Sequence, residues 1–387
     1  MRMTEFEKLN VKSSQLGFGC MRLPLLNGVV DREKAQKMVD YAIENGITYF
    51  DTAYTYLKGE SEEFLGEALQ KYPRESYLLA TKMPSWLINT REDMEKIFNE
   101  QLERLQTNYF DFYLIHSINL ERYKKCVKIE LLKFLEEKKA EGKIKFIGFS
   151  FHDRWENYEE IIDGYSWDFA QIQTNYIDDR IMGSDKLYKM LEEREIPCVV
   201  MEPLRGGFLS NLSDEIAKPF IEADSKKSYS SWALRWVAQL PNVKVVLSGM
   251  SEMEQMVENI ETLSGNFELS TEESCVVEKV VDNLVSLSTI PCTGCKYCMP
   301  CFRGVDIPRI FKIYNDYKMF GNAWRTYSEY YGYFNEESKP HMCVTCNSCV
   351  EKCPQHIDIP TMLQVVDSEL SALKIRFAND PRTKTSL

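Results

Sequence analysis

Positive charge is the scarcer sign in this chain. Against 59 aspartates and glutamates stand 47 lysines and arginines over 387 residues, a formal net charge of −12. Such a surface offers no basic footprint to nucleic acid and would repel a phosphate backbone. Long apolar runs are missing too, so no segment is expected to cross a bilayer and no membrane is expected as a partner. Residues Met1 to Asn10 lack the apolar core of a secretory signal, which makes the cytoplasm the expected location. In that reducing compartment disulfides are not expected, and thiols stay available to metals. Histidine is sparse, with His116, His152, His341 and His356 the only four. A flavin-binding motif is not recognisable.

Cysteine, by contrast, is concentrated. Of the twelve, eight fall in two short runs, Cys292-Cys295-Cys298-Cys301 and Cys343-Cys346-Cys349-Cys353. A [4Fe–4S] cubane presents four iron corners to thiolates, so cysteines at two-residue intervals can wrap one face while a more distant one closes the site. Zinc is the competing metal, but its sites usually pair two separated knuckles around one tetrahedral ion. The second run reads Cys-x2-Cys-x2-Cys-x3-Cys-Pro, with Pro354 after Cys353, as in bacterial ferredoxins. The first run has one residue fewer before its last cysteine and Phe302 in place of proline. Two clusters are therefore expected, with the fourth cysteine of each run serving the other cluster.

The runs are also halves of a repeat. Val305-Asp306-Ile307-Pro308 follows the first in the register in which Ile357-Asp358-Ile359-Pro360 follows the second. An aspartate cap, a proline in the first turn and apolar residues at helical spacing open a helix after each. An all-helical module is thus expected over residues 289–375, followed by a polar tail, 376–387. The aromatics between the runs are expected to form a dry shell around the clusters.

Ahead of the cysteines, short apolar runs alternate with amphipathic stretches, the pattern of repeated βα units. Eight strands are read at Leu16–Cys20, Ile47–Asp51, Tyr77–Lys82, Phe110–His116, Phe146–Ser150, Phe169–Thr174, Cys198–Glu202 and Val243–Ser248. Eight parallel strands imply an α/β fold closed into a (β/α)8 TIM barrel over residues 1–268. Helix ends are legible between them. Asp31 caps a helix that Gly46 stops, and Thr90 with Asp93 forms a capping box. A linking helix is expected over 269–288, with Val276, Val277, Val280, Val281 and Cys275 as core positions.

Barrel enzymes place their chemistry at the C-terminal ends of the strands. Asp51, Lys82 and His116 close the second, third and fourth strands, and Tyr56 follows Asp51 closely enough to point back into the same mouth. Each alone has a plainer reading as loop cap, snorkelling base, rim aromatic or satisfied core histidine. Together they make a proton-donor site: an ammonium acidifies the phenol, a carboxylate holds the ammonium, and a neutral imidazole hydrogen-bonds a carbonyl oxygen.

With these residues in place, the chain resembles the aldo/keto reductase family, whose Asp, Tyr, Lys and His tetrad falls on Asp51, Tyr56, Lys82 and His116. The opening Leu-Gly-Phe-Gly-Cys-Met-Arg-Leu-Pro and Phe50-Asp51-Thr52-Ala53-Tyr54 carry the same likeness, which runs from about Leu16 to Asn259. The added cysteine module resembles the ferredoxin-bearing branch found mostly in anaerobes. The resemblance implies a nicotinamide dinucleotide across the barrel mouth, with Ser150 and Gln171 on its amide, Met201 against its ring, and Gly249, Gln255 and Asn259 toward the adenosine. Phe151 replaces a common amide side chain and Met201 a common aromatic. No basic residue lies between Gly249 and Gln255, so the charge-assisted bonds a 2′-phosphate needs are not supplied there and NADP preference is not expected. The loop Pro203-Leu204-Arg205-Gly206-Gly207 reads equally as a phosphate approach or a plain turn.

The expected function is an iron–sulfur oxidoreductase that reduces a small carbonyl or oxidises the alcohol. Tyr56 is the proton donor, and either NAD(P)H or the clusters supply electrons. The alternative is a non-catalytic, or a flavin- or partner-dependent, electron-transfer protein that keeps the barrel as a scaffold. An electron carrier such as ferredoxin is the candidate protein partner.

Overall fold

Eight short runs buried on both faces pair in parallel into a closed barrel: β1 Leu16–Gly19, β2 Tyr49–Asp51, β3 Leu78–Pro84, β4 Phe110–Ile118, β5 Ile144–Phe151, β6 Phe169–Gln173, β7 Cys198–Met201 and β8 Val243–Ser248. β8 pairs with β1, Leu247 opposite Gly17, and closes the ring. This is a (β/α)8 architecture, and all eight strands lie where the sequence predicts them. The computed structural model describes residues 1–387 apart from Arg154, Asn266, Ser288, Thr293, Cys295, Asn379, Pro381, Arg382 and 384–387.

Inside the barrel, the inward residues fill its lower half. Phe112 of β4 is fully buried and meets Tyr49 at 5.1 Å, Phe146 at 5.3 Å and Phe169 at 4.9 Å between ring centroids. An antiparallel hairpin, Met3–Phe6 with Val11–Ser14, lies outside the predicted elements and puts Phe6 5.2 Å from Phe112. Burying a phenylalanine contributes about 1.5–3 kcal/mol, so this stack anchors one end and leaves polar residues to the other. Gly148 is required here, because a Cβ at that position would stand 2.5 Å from the Phe169 ring.

The helix ends follow the sequence. Asp31 accepts a hydrogen bond from the Lys34 N–H at the start of Arg32–Glu44, and Thr90 and Asp93 form the reciprocal box that opens Arg91–Arg104. Behind β3, a buried polar hub ties the helix Arg91–Arg104 to the strand. Gln101 Nε2 donates to Glu62 at 2.8 Å, to Thr81 Oγ1 at 3.0 Å and to the Lys82 carbonyl at 3.1 Å, and its Oε1 accepts from the Tyr113 hydroxyl.

Two compact units divide the chain at Glu278 and Lys279, within the helix Thr271–Ser286. Along that helix Val277, Val280 and Val281 are buried and Val276 half-buried. Cys275, expected in the core, is exposed. It falls on the solvent side of the helix, where valine neighbours say nothing about its own direction.

The second unit is all-helical among its described residues. Asp306 caps Ile307–Phe320 and Asp358 caps Ile359–Arg376, each with proline in the first turn. Ile310, Phe311, Ile313 and Tyr314 of the first pack with Leu363, Val366 and Leu370 of the second in one apolar cluster, against which six of the cysteines rest. Tyr330 and Phe334 are buried there, whereas Tyr333 is exposed. The aromatic shell therefore includes only part of that run.

Candidate functional site

The C-terminal ends of β2, β3 and β4 bring the four predicted polar residues together. Lys82, fully buried, donates to Asp51 Oδ1 at 2.7 Å and to the Thr52 carbonyl at 2.7 Å. Its ammonium lies 4.8 Å from the centre of the Tyr56 ring, and that ring meets His116 edge-on at 5.7 Å. The chain turns sharply behind Tyr56, where Leu57, Lys58 and Gly59 all take positive φ. A left-handed conformation costs roughly 1–2 kcal/mol per non-glycine residue, and this strain sits next to the phenol.

Electrostatics correct one expectation. Burial raises the Tyr56 phenol above its ordinary value, and the neighbouring Lys82 charge only partly offsets that. The phenol is therefore a fully protonated donor in the resting site. Desolvation, reinforced by Lys82, holds His116 well below the usual imidazole range. Its Nδ1 is buried and has no partner among the described residues. A neutral imidazole with an unengaged nitrogen can hydrogen-bond a substrate oxygen.

Beside these residues, Ser150 and Gln171 stand opposite each other on β5 and β6, and Gln171 Nε2 reaches the Met201 sulfur at 3.5 Å. Gln171 Oε1 is buried and unsatisfied among the described residues, an acceptor suited to a carboxamide N–H. Ser150 Oγ accepts from the Ser117 N–H at 2.8 Å. A cavity of about 270 Å³ opens along the loops after β7 and β8, lined by Gly206, Gly207, Ser248, Gly249, Ser251, Gln255 and Asn259. The structure thus gathers Gly249, Gln255 and Asn259 in one cleft and places Ser150, Gln171 and Met201 on the strands outside its lining. The Gln255 side-chain Oε1 already caps the helix Met253–Ser264, accepting from the Ser251 N–H at 2.9 Å. Asn259 donates to Ser248 Oγ at 3.1 Å.

Arg205, in the loop that sequence left undecided, is not part of that cleft's lining. It is buried against Asp178 at 2.9 Å, while Gly206 and Gly207 line the cavity. Two residues near the site escaped the sequence reading, the first of them lining that cavity. Arg22, just past β1, packs against Gly249 and lies 3.8 Å from the Glu202 carboxylate. The strand-end rule that singled out Asp51 would have found Arg22 had it been applied to β1. Trp86, in the loop after β3, stands 5.2 Å from the His116 ring and gave no signal beyond being an aromatic in a loop.

In the second unit, Cys301, Cys343, Cys346 and Cys349 line one cavity of about 260 Å³, and Cys292, Cys298 and Cys353 line another; Cys298 also borders the first. Cys295 lies outside the described residues. The Thr345 N–H donates to Cys343 Sγ at 3.5 Å, the kind of contact that tunes a thiolate ligand. Among the described residues, no three or more His, Cys, Asp or Glu side chains are arranged around a single-ion site. A cubane spreads its four thiolates over the corners of a larger body, so soft thiolates around a cavity fit that group.

Known proteins match both units. Residues 15–282 match the Aldo/keto reductase family, and residues 291–357 match the 4Fe-4S dicluster domain. The chain is 27% identical to the uncharacterized oxidoreductase YqkF of Bacillus subtilis over 303 residues, 70% of this chain and 94% of that protein. To the NADH-specific methylglyoxal reductase of Escherichia coli it is 25% identical over 324 residues, 71% of this chain and 97% of that one. Among solved structures, the aldo-keto reductase AKR11C1 from Bacillus halodurans, in its holo form, superposes with a TM-score of 0.63 at 26% identity, covering 72% of this chain and 96% of that one. No helix among the described residues is long and apolar enough to cross a membrane. A barrel with this tetrad geometry and a match over residues 15–282 identify an oxidoreductase that belongs to the aldo/keto reductase family and carries a 4Fe-4S dicluster domain.

Proposed function

We propose that the barrel mouth reduces the carbonyl group of a small substrate, and oxidises the alcohol in reverse, with Tyr56 as the proton donor. The observation that carries this reading is the convergence of Lys82, Asp51, Tyr56 and His116 at one strand-end mouth. Hydride for the carbonyl carbon would be the chemistry supplied by a nicotinamide held along the β5–β8 rim. Gln171 and Ser150 would hold its amide, Met201 would wall its ring, and Gly249, Gln255 and Asn259 would face its adenosine. His116 hydrogen-bonds the carbonyl oxygen and orients it toward Tyr56. As charge builds on that oxygen, Tyr56 transfers its proton, and the phenolate left behind is stabilised by Lys82, whose charge Asp51 maintains.

The cysteines would hold two clusters with crossed fourth ligands: Cys343, Cys346, Cys349 and Cys301 for one, Cys292, Cys295, Cys298 and Cys353 for the other. The lining of the two cavities supports this division. Such clusters transfer single electrons, which suits exchange with a one-electron carrier such as ferredoxin. The domain limits follow the same reading, a barrel over 1–268, a linking helix over 269–288 and the cluster module over 289–375, in a cytoplasmic protein.

The test is Tyr56→Phe in anaerobically purified protein. A general acid contributes about 10²–10⁴-fold, so carbonyl reduction should fall by that factor while iron and sulfide contents stay unchanged. Undiminished reduction would remove Tyr56 from the role.

A further inference from the structure

Among the described residues, one cation at the mouth lacks a counter-charge. Arg122, half-buried on the first turn of the helix Leu120–Lys128, donates from Nη1 to the Ser117 carbonyl at 2.7 Å and to Ser117 Oγ at 2.9 Å. These bonds tie the guanidinium to the residue next to His116. Its central carbon lies 5.1 Å from the centre of the Trp86 ring, and that ring stands 5.2 Å from His116. Trp86 and Arg122 therefore form one wall beside the imidazole, and the charge of Arg122 reaches both His116 and His152.

Other buried or half-buried arginines of the barrel are matched by acids: Arg74 by Asp111, Arg104 by Glu62, Arg205 by Asp178 and Arg235 by Glu273. Among the described residues no carboxylate pairs with Arg122, and its Nε and Nη2 donate to no protein acceptor. Lys82 is matched by Asp51, which leaves the His116 side of the mouth with an uncompensated positive charge. A guanidinium fixed through one nitrogen presents its remaining edge as a pre-oriented pair of donors, the geometry that binds carboxylate or phosphate side-on.

We propose that the substrate carries an oxyanion group, a carboxylate or a phosphate, which the free edge of Arg122 binds while Trp86 packs on the carbon skeleton next to the carbonyl. This specificity rests on the reading of the mouth as a carbonyl-reducing site. It names the substrate class as oxo acids or phosphorylated carbonyl compounds, in place of the neutral aldehydes and ketones that the tetrad alone would accept. Arg122 contacts the anion and takes no part in moving the proton or hydride.

Two matched pairs test this on the full-length, cluster-loaded protein: phenylglyoxylate against phenylglyoxylamide, and glyceraldehyde 3-phosphate against glyceraldehyde. Binding is read by titration calorimetry and turnover as kcat/KM. The charged member of at least one pair should be favoured by about tenfold to a hundredfold, the size of a charge-assisted contact. Arg122→Met should bring that ratio near one, and Arg122→Lys should restore part of it. The responding pair distinguishes carboxylate from phosphate. Ratios near one in the wild type, or an Arg122→Met variant that weakens both members equally, overturn the proposal. Tyr56→Phe separates the two readings, since it should cut turnover by about 10²–10⁴-fold yet keep the charge preference in binding. Retained turnover in that variant would defeat the proton-donor role without touching Arg122.

Discussion

Lys82 and Asp51 form an ion pair of 2.7 Å with both side chains shut off from water. Taking one partner away leaves the other charge buried, which costs about 3–5 kcal/mol. Asp51→Asn should therefore lower the unfolding free energy by that order and also deprive Lys82 of the charge that keeps it protonated. Lys82→Met should be worse for activity, because the phenolate that the proposed proton transfer leaves at Tyr56 would lose its cation. Urea titrations measure the first effect. Single-turnover reduction measures the second, and full activity in Lys82→Met would contradict the site.

Burial raises Tyr56 and lowers His116, so the site should titrate outside the neutral range. With Tyr56 as the proposed donor, reduction needs the phenol protonated. Below its raised pKa that form is complete, so kcat for reduction should stay flat from about pH 6.5 to about pH 9 and fall only beyond the ordinary phenol value of about 10. Oxidation needs phenolate and should rise through the same interval. His116 is neutral throughout and adds no limb. An inflection in reduction near pH 6.5 would mean that His116 carries a proton the structure denies it.

The barrel strands and the helices after each cysteine run could be read because their signals are local. A strand buried on both faces is a short apolar run, and Asp306-Ile307-Pro308 or Asp358-Ile359-Pro360 states its own cap. The tetrad was legible for a related reason, since strand ends are fixed once strands are. What sequence could not give depends on contacts across the fold. The hairpin that puts Phe6 on Phe112 closes a barrel whose interior aromatics are invisible in a linear pattern. The protonation of Tyr56 is set by a competition between burial and Lys82, and spacing reveals the partner but not the desolvation. Arg205 and Arg122 look alike in sequence, yet Asp178 neutralises one and no described carboxylate meets the other.

Gln101 offers a stability test removed from the mouth. Its amide bridges Glu62, Thr81, Tyr113 and the Lys82 carbonyl in a fully buried hub. Gln101→Leu keeps most of the volume but strands the Tyr113 hydroxyl and one Glu62 contact. Each buried group left unpaired costs about 1–3 kcal/mol, so the loss should be about 2–6 kcal/mol with β3 shifted behind Lys82. Thermal unfolding reads the stability, and a kcat lower than that of wild type would register the displaced ammonium. A variant as stable as wild type would mean that the hub carries no net energy.

The proposed crossed ligation would give the cysteines distinguishable roles. Cys301 borders the cavity of the second run and Cys353 that of the first, so substituting one should disturb the cluster held by the other run's three cysteines. Two cubanes would bring about eight irons per chain, and Cys301→Ser or Cys353→Ser should then each bring the content toward about four. The clusters need not be equivalent, because cluster potential depends on hydrogen bonds to sulfur and on exposure. Removing each in turn should leave spectra that sum to that of the wild type. Pairing either single variant with Cys346→Ser makes the assignment decisive. Cys301→Ser with Cys346→Ser strikes the same cluster twice and should retain about four irons, whereas Cys353→Ser with Cys346→Ser strikes both and should retain almost none. Uncrossed ligation predicts the opposite result for the two pairs.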